Sequence, residues 1–148
     1  MVGRLQKGGE TLNPALVLDC SAAYTIVAHE ERDLFSFRLE RVILDHGAIA
    51  PSLWTYEITN VVVSKIRSKR LIYPMAREYL ATLRSLPICF HDEFMDAMDS
   101  CFDLSHKYNL SGYDAAYLRL ALKTGLPLAS CDRELNQVAA GAGVKLFE

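Results

Sequence analysis

Several things that would narrow the function of a chain this size are missing from it. No segment reaches the about 18 apolar residues that a membrane span requires. The first fourteen residues (MVGRLQKGGETLNP) carry positive charge with no apolar stretch behind them, which is not the pattern of a secretory signal. Four cysteines are present, Cys20, Cys89, Cys101 and Cys131, with no C-x-x-C pair and no Cys/His cluster at zinc spacing. Each lies in or beside an apolar run, where a thiol behaves as a small hydrophobe, so the expectation is reduced cysteines in a cytoplasmic protein. The four histidines, His29, His46, His91 and His106, form no motif. There is no basic excess either: the net charge is −2. Charge alone therefore does not announce a nucleic-acid binder, and it suits a metabolic enzyme as well as an acidic site beside a basic groove. No repeat, low-complexity tract or Pro/Gly/Ser linker divides the 148 residues, so one domain is expected. Residues 1–14, polar and Gly-rich, read as a flexible leader before a domain spanning 15–148.

What is present is an alternation. Five short apolar runs stand at 15–19 (ALVLD), 48–50 (AIA), 88–90 (ICF), 127–130 (PLAS) and 144–147 (VKLF). Helical patterns lie between them, at 21–30, 32–45, 53–69, 75–86, 93–107, 112–124 and 133–140. Short buried strands separated by helices predict an α/β fold, a five-stranded parallel sheet with helices on both faces. Glycine falls after helix ends at Gly47, Gly125 and 141–143, and Pro51, Pro74 and Pro87 fall between elements.

In such a sheet, ligands bind beyond the carboxyl ends of the strands, near the switch in strand order. Asp19 ends the first apolar run and Asp132 follows the fourth. Glu57 sits at the edge of the helix stripe Trp54, Ile58, Val61, Val62 and Ile66, with Asn60 one turn further. Asp114 shares a helix face with Tyr117, Leu118 and Ala121. Carboxylates pressed toward apolar faces are costly unless paired or metal-bound. Each acid also has an ordinary explanation. Ser111 with Asp114 reads as a capping box, Asp132 as an N-cap, Asp19 as a residue preceding a Ser21 cap, and Glu57 as a partner for Lys65 or Arg67. Taken together, four acids at one edge with no internal cation favour a metal site. Hard oxygen donors without His or Cys suit Mg²⁺ or Mn²⁺. Lys65, Arg67, Lys69 and Arg70 are the densest basic cluster and the candidates for phosphate contacts, or else a solvated helix end. The acids Asp92, Asp96, Asp99 and Asp103 recur at helical spacing and read as an exposed acidic face. Residues 22–27 and 32–45 carry apolar side chains (Tyr24, Ile26, Leu34, Phe35, Phe37, Leu39) on several faces, which suits a partner-binding groove or a buried helix equally.

The segments VLDCSAA (17–23), APSLWTYEITNVV (50–62), LSGYDAAYLRLALKTGLPLASCDREL (110–135) and GVKLF (143–147) resemble the PIN-domain ribonucleases, and more narrowly the VapC toxins of bacterial type II toxin–antitoxin pairs. The resemblance covers nearly the whole chain, with the motifs in family order. It implies a strand order of 3-2-1-4-5 and makes Asp19, Glu57, Asp114 and Asp132 the acidic quartet that holds the metal. Ser130 then falls on the Thr or Ser that orders those acids, and Asn60 on the Asn found a turn after the Glu. Cys20 stands where Ala or Ser is commoner.

The implied activity is metal-dependent endonucleolytic hydrolysis of RNA by water, leaving a 3′-hydroxyl and a 5′-phosphate. The implied partners are an RNA substrate, a small VapB-like antitoxin that places a basic residue among the carboxylates, and a second copy of the chain in a homodimer. Two rivals are weighed. A phosphatase of the haloacid-dehalogenase kind needs a second Asp two residues after the first, where this chain has Ser21. A catalytically silent PIN module that binds only RNA or protein would not need the full acid set.

Overall fold

The computed structural model describes residues 5–7, 10–30, 32–91 and 94–148. Chain order is β1 (Leu5–Lys7), β2 (Glu10–Leu12), β3 (Val17–Leu18), α1 (Cys20–Val27), α2 (Leu34–His46), β4 (Ala48–Pro51), α3 (Trp54–Arg67), α4 (Tyr73–Ser85), β5 (Ile88–His91), α5 (Phe94–Tyr108), α6 (Gly112–Thr124), β6 (Leu128–Ala129) and α7 (Arg133–Gly141). Within the segment read as a leader, β1 and β2 pair as a short antiparallel ribbon.

The central sheet is parallel, with order β5-β4-β3-β6. Numbered by its own strands this is 3-2-1-4, so the expected five-stranded sheet is corrected to four among the described residues. The run at 144–147 makes only an isolated parallel bridge, Leu146 to Leu128. Leu128 spends both backbone groups on it: its N–H donates to Lys145 O (2.8 Å) and its carbonyl accepts from Phe147 N (2.8 Å). Two residues on, the Ser130 carbonyl accepts from the Asn136 side chain (2.8 Å).

All of β3 and β4 is buried, as are both residues of β6, so the central strands are covered on both faces. Helix α6 lies against β3, β4 and β6 and packs on α5 and α7, while α1 packs on α2, α3 and α4. The core runs through Leu16, Val17, Leu18, Ile26, Leu39, Ile43, Ile49, Tyr117, Leu118 and Leu128. Each such side chain contributes about 1.5–3 kcal/mol on removal from water. The apolar surplus of α1 and α2 divides accordingly: Tyr24, Ile26 and Leu39 are core, whereas Leu34 and Phe37 remain exposed. Asp96, Asp99 and Asp103 of the acidic run are exposed, and Asp92 lies outside the described residues. Helix ends follow local chemistry, as at α6, which Ser111 caps and Gly125 closes in the left-handed conformation (φ 70°). Among the described residues no helix is long and apolar enough to cross a membrane.

Candidate active site

Adjacent parallel strands deliver the first anchor. Val17 pairs with Leu128 and Leu18 with Ala129, and Asp19 N donates to Ala129 O (3.0 Å), so the chain leaves β3 and β6 side by side. Asp19 occupies the N-cap position of α1, but its carboxylate caps nothing. It accepts instead from two hydroxyls on the same oxygen: Ser21 Oγ to Oδ2 at 2.5 Å and Ser130 Oγ to Oδ2 at 2.6 Å. Those hydroxyls are themselves fixed. Ser21 Oγ accepts from Cys131 N (2.9 Å) and Ser130 Oγ accepts from Asp132 N (3.0 Å). Asp19 is 6 % exposed, and the Cys20 thiol beside it adds a further side-chain hydrogen bond to the carboxylate.

Glu57 enters from the first turns of α3. A carboxylate oxygen of Glu57, one of Asp19 and the Cys20 sulfur all lie within 4.8 Å of one another. The hydroxyl of Tyr117, a fully buried residue of α6, donates to Glu57 Oε2. Burial holds the Glu57 carboxyl above its ordinary value, with the Asp19 and Asp114 charges adding to the rise and the Tyr117 hydrogen bond opposing it. Burial also pushes the Cys20 thiol well up, followed by the charges of Asp19 and Glu57, so the sulfur is a protonated, soft and poor ligand.

The other two predicted acids are placed differently. Asp114 is half-buried, close enough to Glu57 to act on it electrostatically, and its Oδ2 accepts from Ser111 Oγ (2.7 Å). Asp132 is exposed and caps α7, its Oδ1 accepting from Leu135 N (2.9 Å). It reaches Asp19 only through its own N–H and Ser130. Asn60 is exposed on α3, beyond hydrogen-bond contact with the acids, and lines the neighbouring cleft.

Of the basic cluster, Lys65, Lys69 and Arg70 line one polar cleft of about 440 Å³ together with Tyr24, Glu30 and Tyr79, while Arg67 does not. Lys65 Nζ sits 5.0 Å from the Tyr24 ring centre. Two contributors escaped the sequence reading. Tyr117 appeared only as a face-sharing neighbour of Asp114, although a buried tyrosine needs a partner for its hydroxyl. Ser21 appeared only as a possible cap. The signal for it was the mirrored pair of tripeptides, Asp19-Cys20-Ser21 and Ser130-Cys131-Asp132.

The donor set fits a hard divalent cation. Two carboxylates converge within 4.8 Å, and one of them is locked by hydroxyl donors.

No family model and no curated protein matches the sequence. The fold is similar to that in the crystal structure of PAE2754 from Pyrobaculum aerophilum, with a TM-score of 0.65 and 20% identity over 89% of this chain and 98% of that one. At that identity the likeness is one of fold.

Proposed function

We propose that this chain is a Mg²⁺- or Mn²⁺-dependent endoribonuclease of the PIN-domain kind, acting in the cytoplasm as the toxin of a toxin–antitoxin pair. The observation that carries the reading is the Asp19 carboxylate, clamped by hydroxyls from both sides of the β3/β6 strand ends with Glu57 beside it. Asp19 and Glu57 would hold the cation directly, with Asp114 adding charge next to Glu57. When bound, such a cation supplies charge for the scissile phosphate and acidifies an attacking water.

The protein's own groups do the rest. Ser21 and Ser130 hold one oxygen of Asp19, which aims the other outward without a conformational search. Tyr117 does the same for Glu57 and favours its ionised form. Lys65, Lys69 and Arg70 take phosphates of the strand. Lys65 lies eight residues after Glu57, about 12 Å along α3 at the helical rise, a distance that one or two nucleotides span. A small antitoxin would compete by placing a basic side chain between Asp19 and Glu57. The exposed apolar residues Leu34 and Phe37 on α2, and Met95, Met98 and Phe102 on α5, offer surface to it or to a second copy of the chain.

The test is cleavage of labelled RNA by the purified chain with Mg²⁺, with EDTA, and after Asp19→Asn. Expected are cuts ending in 3′-hydroxyls that chelation abolishes and the substitution reduces by at least about a hundredfold. Cleavage that survives both treatments overturns the proposal. Metal-independent RNA binding without any cutting would favour the silent binding module.

A further inference from the structure

A second cleft is bordered by Glu57. It has a volume of about 430 Å³ and is lined by Cys20, Leu53, Tyr56, Glu57, Asn60, Val61 and Tyr113. Its two tyrosines occupy matching places: Tyr56 immediately precedes Glu57 on α3, and Tyr113 immediately precedes Asp114 on α6. One residue is about 100° of helix, so each ring stands at the rim beside its acid. Both are far out of the core, with Tyr56 75% and Tyr113 62% exposed. Neither ring nor hydroxyl has a partner among the described residues, and the same holds for the Asn60 amide. Leu53 and Val61 add apolar surface to the lining.

We propose that this cleft is a nucleobase pocket, in which a base next to the cleaved phosphate stacks on Tyr56 and Tyr113 and has its edge read by Asn60. The inference rests on the ribonuclease reading of the adjoining acids. The chemistry selects the occupant. No lysine or arginine lines the cleft, and Glu57 borders it, so a phosphate or an acidic peptide is repelled. An uncharged flat group with apolar faces and a polar edge is matched by exposed rings and a free amide. Stacking on aromatic rings accepts any base, whereas an Asn amide can make paired hydrogen bonds to one base edge and so supply a preference. The two clefts follow one another along the α1–α3 seam: Cys20, Glu57 and Val61 border this one, and Tyr24 and Lys65, a turn further along each helix, border the basic one. A single strand then enters base-first at the tyrosines, passes the acids, and leaves with its phosphates on Lys65, Lys69 and Arg70.

The experiment measures binding of short single-stranded RNAs carrying one 2-aminopurine to the full chain bearing Asp19→Asn, which prevents cutting. Stacking quenches that fluorophore. Expected are quenching on binding, a loss of quenching and of about 5- to 100-fold in affinity on Tyr56→Ala or Tyr113→Ala, and near-complete retention on Tyr56→Phe or Tyr113→Phe. Asn60→Ala should level the affinities for homopolymers of the four bases while quenching persists. If the alanine variants, folded by circular dichroism, bind and quench like the parent, the base pocket is wrong while the ribonuclease reading stands. An unaltered base preference in Asn60→Ala overturns the edge-reading role. If RNA is neither bound by the parent nor cut by the unsubstituted chain, the underlying reading fails and the pocket with it. A cleft that binds a basic peptide but leaves RNA binding unchanged would also overturn the pocket.

Discussion

At Glu57, three neighbours act on one proton. Burial and the charges of Asp19 and Asp114 raise its carboxyl, and the Tyr117 hydroxyl draws it back. Because the folded state binds this proton more tightly than the unfolded chain, the stabilising contribution is fully present below the ordinary value of 4.5 and is lost as pH rises through the raised one. Glu57→Gln, which cannot ionise but still accepts from Tyr117, should therefore be the more stable protein at neutral pH without metal. The gain should be about 1 kcal/mol, limited by solvent in the cleft, and should fade as the pH falls below the ordinary value. Urea denaturation across pH reads this directly, and a variant that is less stable at every pH would refute it. Added Mg²⁺ should reverse the ranking, since it binds only where both carboxylates remain. Tyr117→Phe acts in the opposite sense. It removes the donor, and should cost about 1–2 kcal/mol of stability and weaken Mg²⁺ binding, as followed by the metal-dependent shift in Tm. Ser130→Ala leaves Asp19 Oδ2 with Ser21 alone and the Asp132 N–H without its acceptor, at about 1–3 kcal/mol, whereas Ser130→Thr keeps the hydroxyl and should stay near the parent.

Helix ends decide what became of the predicted quartet. Asp19 and Asp132 both stand at N-caps, yet only Asp132 spends its carboxylate there, because Asp19 finds Ser21 and Ser130 first. The Ser21 half of that competition is local, but the Ser130 half is tertiary, created by strands β3 and β6 lying side by side. Glu57 was legible from its place at the edge of an apolar stripe, since period 3.6 alone put it against the core. The seven helices were legible for the same reason, because strong amphipathic repeats survive any tertiary context. The fifth strand was not: an apolar run such as VKLF says that a segment packs inward, not that it pairs over more than the single bridge it makes to Leu128. A substitution pair separates cap from ligand at α7. Asp132→Ala should lose about 1 kcal/mol of stability, and Asp132→Asn almost none, since Asn caps equally well. If Asp132 works chiefly as a cap, Asp132→Asn also keeps RNA cleavage far closer to the parent than Asp19→Asn does.

For the molecule as a whole, the tie between Leu128 and the last residues closes the sheet on its β6 side. Removing residues 145–148 frees the Leu128 N–H and carbonyl and strips the edge-on contact of Phe147 with Phe35. A loss of about 2–4 kcal/mol is expected from two hydrogen bonds and one buried ring edge, measured as a fall in the urea midpoint.

The Asp19–Ser130 hydrogen bond has a bearing on time as well as on geometry. Its partners are 111 residues apart. During synthesis Ser130 leaves the ribosome 111 residues after Asp19, and at about 5–20 residues per second the interval is several seconds or more. Until β6 docks beside β3, the clamp on Asp19 has only one of its two hydroxyls. The full order around Asp19 thus arrives only with β6, seconds after Asp19 itself has been made.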